Sequence, residues 1–273
     1  MPESSLARLR ALLAKEAAEL RAGKGVLLAP LVMLLTAVAV PFVVAIGVPA
    51  WSGETLDDAE DVVALARDLG RTTRGMDRLD AAGAVQAFLL HQFLPLLLLV
   101  PVTGALSLVT TSVVGEKQSR SLEPLLATPL TTAELLAAKI GIAFAVSLAL
   151  LAMGYVLMVA VAAGLASPGV AATLVTARPI ALVAALAPAV SAVTLVLGVI
   201  ASARAKDARG AQQFGVVVVL PVVGLFVAQM SGQMLLRSRD ILLGSAGLWV
   251  LALLLLWVGV RVFDREHILT KWT

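Results

Sequence analysis

Residues 140–165 read IGIAFAVSLALLAMGYVLMVAVAAGL and contain no Asp, Glu, Lys or Arg. A helix needs about 20 apolar residues to cross the hydrocarbon core of a bilayer, so this stretch predicts a transmembrane helix. Five other segments share its length and composition. In chain order, the six predicted spans are 25–48, 87–113, 140–165, 179–203, 213–235 and 241–260. The expected fold class is therefore an all-α integral membrane protein with six transmembrane helices.

The overall composition indicates that lipid is part of the solvent of this protein. Apolar residues make up 60% of the chain and charged residues 14%, with a mean hydropathy of +0.97. Soluble domains carry about 45–50% apolar and about 25% charged residues. The formal net charge is +3 and there is no cysteine. Disulfides and thiolate metal sites are excluded, and the short basic blocks between apolar runs indicate membrane orientation and no nucleic-acid partner.

The distribution of Lys and Arg predicts the orientation of the spans. The N-terminal segment, the loops after spans two and four, and the C-terminal tail together hold 14 basic residues, against 7 on the opposite side. Basic residues concentrate on the cytoplasmic side of membrane proteins. Both termini are therefore expected in the cytoplasm of a multi-pass protein of the plasma or inner cell membrane.

Residues 1–24 predict an amphipathic helix that precedes the six-helix domain of residues 25–273. Apolar positions recur at helical intervals at Leu6, Leu9, Leu13 and Leu20. This pattern is typical of an interfacial helix lying on the cytoplasmic membrane surface. The alternative is a plain extension of span one, and Gly23 and Gly25 favour a bend between the two.

The first outer loop, residues 51–86, is rich in acidic side chains and contains a candidate surface helix at 56–69. The acidic positions are scattered and do not follow the spacing of an EF-hand loop. A solvated outer face explains them better than a metal site does.

The chain shows none of the motifs that would indicate chemistry of its own. Its only histidines are His91 and His267, so the His-Glu-x-x-His motif of a metalloprotease is missing. Residues 23–25 read GKG and lack the rest of a phosphate-binding loop. Intramembrane Asp, Glu or Arg, which coupled transporters use to bind ions, are missing from the predicted spans. The sequence predicts no catalytic residues, no cofactor and no metal, and His91 is expected to be a hydrogen-bonding residue near the outer end of span two.

The loop between spans two and three carries the most specific signal. Residues 115–139 read GEKQSRSLEPLLATPLTTAELLAAK. A first helix with an apolar face is predicted to end at Thr128-Pro129. Thr131 and Glu134 match a capping box that opens a second helix running into span three. A hairpin of this length exceeds a simple connection, so it is expected to contact a cytoplasmic partner.

This loop resembles that of ABC-2 type transporter permeases. The family pattern is Glu-basic-x-x-Gly-Thr-Leu-Glu-x-Leu-Leu-x-Thr-Pro, followed by a Glu and by a Lys at the next span. Ser121 and Arg120 stand where Thr and Gly are usual. The tail at 263–269 also resembles endings in this family. The matching residues are Glu116, Lys117, Leu122, Glu123, Leu125, Leu126, Thr128, Pro129, Glu134 and Lys139.

The resemblance implies the permease subunit of an ATP-driven exporter. Such a subunit pairs with a second permease copy, identical or related, and couples to a separate ATP-binding subunit that holds ATP and Mg. The loop would supply the coupling helices. The candidate coupling residues are Glu116, Lys117, Arg120, Leu122, Glu123, Leu125, Leu126, Thr128 and Pro129.

The sequence is compatible with more than one interpretation at three points. Residues 202–213 are either a smaller second contact with the ATPase or a positive-inside anchor. The charge-free spans fit a lipid-like or apolar cargo without excluding other substrates. A membrane scaffold without transport activity is the alternative function, and an intramembrane enzyme is disfavoured because no catalytic pair is found.

Overall fold

The computed structural model describes residues 5–23, 25–53, 66, 75–118, 132–205, 207–230 and 237–262, and all regular structure in these ranges is helical. The α-helices are α1 Ser5–Ala22, α2 Leu28–Phe42, α3 Val48–Ser52, α4 Ala81–Phe93, α5 Leu99–Gln118, α6 Thr132–Leu165, α7 Val170–Leu174, α8 Ala177–Ala181, α9 Ala187–Arg204, α10 Ala208–Gln213, α11 Val216–Met230 and α12 Ser238–Val262. Two π-helical turns, Val43–Gly47 and Leu182–Leu186, and two 3-10 segments, Met76–Arg78 and Leu94–Leu98, complete them.

Six continuous helical segments are long and apolar enough to cross a membrane. From span one to span six they are Leu28–Ser52, Ala81–Gly115, Ala137–Leu165, Ala177–Ser202, Arg209–Met230 and Ser238–Val258. This confirms the six predicted spans and identifies a multi-pass membrane protein. Several boundaries differ from the prediction. The helical segments now include Lys139, Arg178 and Asp240, so charged residues lie in their terminal turns.

Span two begins earlier than predicted, inside what the sequence assigned to the outer loop. Asp80 has extended backbone and its carboxylate accepts a hydrogen bond from Gly83 N at 2.9 Å. This cap satisfies one of the free N–H groups of the first turn, and helix α4 therefore starts at Ala81. The predicted surface helix at 56–69 lies outside the described residues except for Ala66.

Span two is the centre of the bundle. It is 89% buried over its most apolar window, span four is 61% buried, and spans five and six are 22% and 17% buried. Span two packs against spans one, three and four, and span six packs against span four. The exposed apolar surface of spans five and six is the surface that lipid or another chain covers in a membrane.

Small residues allow the close approach of span two to its neighbours. A Cβ at Gly104 would lie 3.2 Å from Ser147 Oγ of span three, and one at Gly198 of span four would lie 2.6 Å from Val109 Cγ1. Hydroxyl groups in the spans bond back to their own helix: Thr110 donates to the carbonyl of Leu106 at 2.6 Å. Such back-bonding removes the cost of a polar side chain in an apolar setting.

The N-terminal helix is separate from span one. Helix α1 ends at Ala22 and α2 begins at Leu28, with turns between them that contain Gly23 and Gly25. Helix α1 packs against α6. This arrangement disagrees with a plain extension of span one, while the position of α1 relative to a membrane surface stays a prediction.

Candidate functional site

A buried ion pair joins α1 to span three where span two ends and span three begins. Lys139 Nζ lies 2.8 Å from Glu16 Oε1, and the two side chains are 2% and 6% exposed. The Lys139 ammonium also donates to Ser112 Oγ at 2.7 Å, and the Ser112 hydroxyl donates to Glu16 Oε2 at 2.9 Å. Both carboxylate oxygens are therefore hydrogen-bonded. We call Glu16, Ser112 and Lys139 the charged tie, and this end of the bundle the loop end.

The three residues of the tie come from three helices. Glu16 follows Leu12 by one turn of α1, and both are buried, so they share the face of α1 that packs on α6. Ser112 lies near the end of α5, and Lys139 lies about two turns into α6. The chain between α5 and α6 is the predicted coupling loop. The tie thus fixes both helical stems of that loop to each other and to α1.

Burial of the tie argues for a positional role more than a stabilising one. Removing two opposite charges from water costs several kcal/mol for each ion, and the pair regains this only when its hydrogen bonds are complete. An apolar replacement would serve a static bundle equally well. The tie therefore defines the relative positions of α1, span two and span three.

A cavity adjoins the tie. It has a volume of about 240 Å³ and is partly open to the surface. Its polar wall is the charged tie with Glu19, and its apolar wall includes Leu20, Leu108 and Ile142. Glu19 is half exposed and pairs with Lys15 at 3.1 Å. The cavity leaves room beside the tie for a change in helix position.

In the chain, the predicted coupling residues lie between Ser112 and Lys139 of the charged tie. The backbone of Glu116 and Lys117 lies in the last turn of α5. The other seven, Arg120, Leu122, Glu123, Leu125, Leu126, Thr128 and Pro129, lie outside the described residues, as does Thr131 of the predicted capping box. Helix α6 runs without interruption from Thr132 to Leu165. The helix predicted to lead into span three is thus continuous with that span.

Residues 202–213, predicted as a second ATPase contact or a positive-inside anchor, also include helical structure. Helix α9 ends at Arg204, and α10 follows at Ala208–Gln213. The carboxylate of Asp207 accepts a hydrogen bond from Gly210 N at 2.6 Å and caps α10. Helix α10 packs against α5. The segment is therefore part of the same end of the bundle as the charged tie.

A second polar cluster lies at a break in span two, towards the opposite end. Helix α4 ends at Phe93 and a 3-10 segment containing Pro95 follows. Proline has no N–H, so the carbonyl of His91, four residues earlier, loses its helical donor. Gln229 of span five supplies one: its Nε2 lies 2.9 Å from His91 O and 3.4 Å from Gln92 O. Gln92 Nε2 in turn donates to Gln229 O at 3.2 Å.

His91 belongs to this cluster and is fully buried. Its Nε2 lies 3.3 Å from Thr173 Oγ1 of α7, and the side chain is 0% exposed. The sequence predicted a hydrogen-bonding residue near the outer end of span two. Hydrogen bonding is confirmed, and the ring is covered by protein. The depth of His91 in the membrane stays a prediction.

The described residues contain no group of three or more His, Cys, Asp or Glu placed to hold a metal ion. Their two polar clusters are built for structural contacts between helices. The sequence matches the family model described as ABC-2 family transporter protein over residues 80–239. The chain belongs to the ABC-2 transporter family. No curated protein matches significantly. No solved structure matches significantly either.

The ABC-2 match covers more than half of the chain, from the start of span two to the start of span six. It includes the loop between spans two and three, which carries the sequence resemblance. Membership makes this protein a membrane component of an ABC transporter, a class that in general works with an ABC ATPase. Ser112 and Lys139 lie inside the matched region, and Glu16 lies before it.

Sequence reasoning on this ABC-2 protein missed two functional candidates, Glu16 and Gln229. Lys139 entered it only as part of the family pattern. Glu16 stands between Lys15 and Glu19. The leucine spacing of the N-terminal helix assigns these two neighbours to a solvated polar face. Leu12, the buried neighbour of Glu16 one turn earlier, is the only local signal that this face is covered. Gln229 is one of several polar residues near the end of span five, and no local pattern links it to span two.

Replacing Gln229 by Leu in this ABC-2 protein is expected to loosen the contact between spans five and two. The variant leaves the carbonyl of His91 without the donor that compensates for Pro95. Hydrogen bonds between membrane helices contribute about 0.6–2 kcal/mol, and a loss of that size is expected in the free energy of unfolding. Denaturant unfolding in detergent measures it.

Gln212→Leu is the matched control for this measurement. Among the described residues, the side chain of Gln212 has only a long bond of 3.5 Å to Thr110 Oγ1, and the hydroxyl of Thr110 is satisfied within its own helix. The control should change stability by less than Gln229→Leu does. Equal losses in the two variants would contradict the assigned role of Gln229.

Proposed function

We propose that this chain is the permease subunit of an ATP-driven ABC exporter and couples to a separate ATP-binding subunit through residues 115–139. The observation that carries the proposal is the charged tie. It connects the helical stems on both sides of that loop to α1. Family membership identifies the protein as a membrane component of an ABC transporter. The tie provides a mechanical connection between the loop and the spans.

The route follows from which helices the tie joins. A displacement of the loop acts on the end of α5 and the start of α6, and the tie makes the two move together. Helix α5 continues into span two, the most buried span, so its movement changes the packing of spans one, three and four as well. A rigid connection of this kind converts a shift at the loop into a shift of the bundle core.

In this proposal the loop residues have two roles. Glu116, Arg120 and Glu123 form polar contacts with the ATPase, and Leu122, Leu125 and Leu126 pack in an apolar groove of its surface. ATP and Mg are bound by that partner, and hydrolysis occurs there. The permease supplies no catalytic group, and a second copy of it, identical or related, completes the translocation path.

The proposed orientation places the loop end and both termini in the cytoplasm of a plasma or inner cell membrane. The excess of basic residues on this side supports it. Cysteine labelling checks the orientation, because the natural chain has no cysteine. A single cysteine at exposed Asp77 should react with an impermeant maleimide from outside the cell, and one at Asp207 should react only after permeabilisation.

Copurification tests the central claim. The tagged permease, expressed with a candidate ABC ATPase from the same organism, should retain its partner ATPase through detergent purification. Deletion of residues 116–129 should abolish the association while leaving membrane insertion intact. A permease that inserts but binds no ATPase with its loop intact would favour the scaffold function instead.

A charge reversal separates coupling from folding. In the Glu123→Lys variant, the stimulation of ATPase activity by the permease should fall towards the basal rate of the ATPase alone, because like charges would oppose each other at the contact. Asp77→Lys makes the same charge change at an exposed site at the opposite end and should leave the stimulation unchanged. Full stimulation with Glu123→Lys would refute the contact assigned to this residue.

A further inference from the structure

Three buried polar atoms in the cluster at the break of span two have no hydrogen-bond partner among the described residues. They are His91 Nδ1, Gln92 Oε1 and Gln229 Oε1. The three side chains are 0%, 2% and 1% exposed. Buried polar atoms in proteins are rarely left without a partner, and an exception requires an explanation. In the charged tie, by contrast, both carboxylate oxygens of Glu16 have hydrogen-bond partners.

The orientations of the two glutamine amides are fixed by their partners. Gln92 Nε2 faces the carbonyl oxygen of Gln229, and Gln229 Nε2 faces the carbonyl oxygens of His91 and Gln92. Turning either amide over would place two acceptor oxygens against each other. The unpartnered atom of each glutamine is therefore an oxygen, which is an acceptor only.

The tautomer of His91 follows from the same kind of argument. The hydroxyl of Thr173 donates to the carbonyl of Val170 at 2.7 Å, so its oxygen is left to accept from His91 Nε2, 3.3 Å away. A neutral imidazole that carries its hydrogen on Nε2 has a bare Nδ1. All three unpartnered atoms are thus acceptors, and what the cluster lacks is a donor.

We propose that this cluster is a binding site for one small hydrogen-bond donor of the size of water or ammonium. Either guest donates at least two hydrogen bonds, and a small guest suits a cluster whose three side chains are at most 2% exposed. By bonding to acceptors on both Gln92 and Gln229, it would fasten span five to the break in span two.

The chemistry of the cluster argues against anions and divalent cations as ligands. An anion brings acceptors and would be repelled by the three acceptors already present. A divalent cation requires carboxylate or several oxygen ligands, and the described residues hold no cluster of metal-binding side chains. Potassium resembles ammonium in size but donates no hydrogen bond, which makes it the discriminating probe.

The experiment uses the full chain in lipid nanodiscs, and it combines a density map with thermal unfolding. A map that resolves buried waters elsewhere in the bundle should show a peak within hydrogen-bonding distance of at least two of the three acceptors. Unfolding is then compared in ammonium chloride and potassium chloride at equal ionic strength. A higher Tm in ammonium, by about 2–4 °C, identifies ammonium as the guest, and equal Tm values with the peak present identify water.

Two variants locate the effect. Gln92→Met removes one acceptor, together with the bond from Gln92 Nε2 to Gln229 O, while keeping Gln229 on the carbonyl of His91. It should abolish the peak and any difference between the salts. Ser191→Ala is the matched control, because Ser191 Oγ is another buried atom without a partner in the described residues and is not bonded to the cluster. The control should leave both readouts unchanged.

Two results would overturn the proposal. One is a natural chain with no peak at the acceptors and equal Tm values in the two salts. The other is an ammonium effect or a peak that persists in Gln92→Met. The map and the salt comparison on the natural chain test the site even if the variant fails to fold.

Discussion

The Lys139→Met variant is expected to lose up to about 3–5 kcal/mol of the free energy of unfolding, because it removes the buried ammonium that bonds the Glu16 carboxylate. The remaining cation, Lys15, is partly exposed and lies 3.8 Å from Glu16 Oε1. Glu16 is 6% exposed, and its Oε1 accepts from Lys139 at 2.8 Å. Ser112 would remain as a neutral donor to Oε2, which cannot replace an ammonium. Chemical denaturation in detergent, followed by the tryptophan fluorescence, measures the loss.

Two further variants show whether the loss comes from the buried charge. Glu19→Gln breaks the half-exposed pair with Lys15, keeps both cations near Glu16 and should cost no more than about 1 kcal/mol. The double variant Glu16→Gln, Lys139→Met removes both charges and should recover most of the loss. If the double variant were as unstable as Lys139→Met alone, the buried charge would not be the cause.

Adding a single methyl group at Gly198 is expected to destabilise the contact between spans four and two by about 1–3 kcal/mol. The new Cβ would lie 2.6 Å from Val109 Cγ1 and 3.4 Å from Leu106 Cδ1. Val109 is fully buried, and a β-branched side chain in a helix has almost no alternative rotamer with which to withdraw. Thermal unfolding of Gly198→Ala in nanodiscs measures the effect.

A control and a rescue accompany this variant. Gly247 in span six has open space around the position of a Cβ, so Gly247→Ala should be neutral or slightly stabilising because alanine favours the helix. Val109→Ala combined with Gly198→Ala should restore part of the lost stability, since the clashing methyl groups are removed. A Gly198→Ala variant as stable as the natural chain would show that the two spans are not packed this closely.

The spans could be predicted from sequence because the bilayer sets a minimum length for an apolar helix. Each predicted span has a helical counterpart. The boundaries were less predictable because they depend on local contacts that hydropathy does not report. Gln86, which hydropathy assigns to the outer loop, is one turn into α4, and its Oε1 accepts from Ser167 N at 2.8 Å. A polar side chain with a tertiary partner does not end a span.

The candidate sites were harder to predict because their residues are distant in the chain. Glu16 and Lys139 are separated by 123 positions, and no local pattern links them. The N-terminal helix shows the same limit: the apolar positions that predict a membrane surface are Leu6, Leu9, Leu13 and Leu20, whereas Leu12 is the buried leucine of the described residues in α1. The face that packs is decided by α6, a helix more than a hundred residues away.

The break at Pro95 has a consequence for how span two can bend. The carbonyl of His91, four residues before Pro95, accepts from Gln229 Nε2 at 2.9 Å, so a side chain of span five replaces the donor that proline lacks. Pro30 differs because it lies in the first turn of α2, where the backbone N–H would have no helical partner. An ordinary helix turn resists bending through several backbone bonds at once, whereas the break at Pro95 is held by one or two side-chain bonds worth about 0.6–2 kcal/mol each. Residues 91–95 are therefore where span two is expected to bend first.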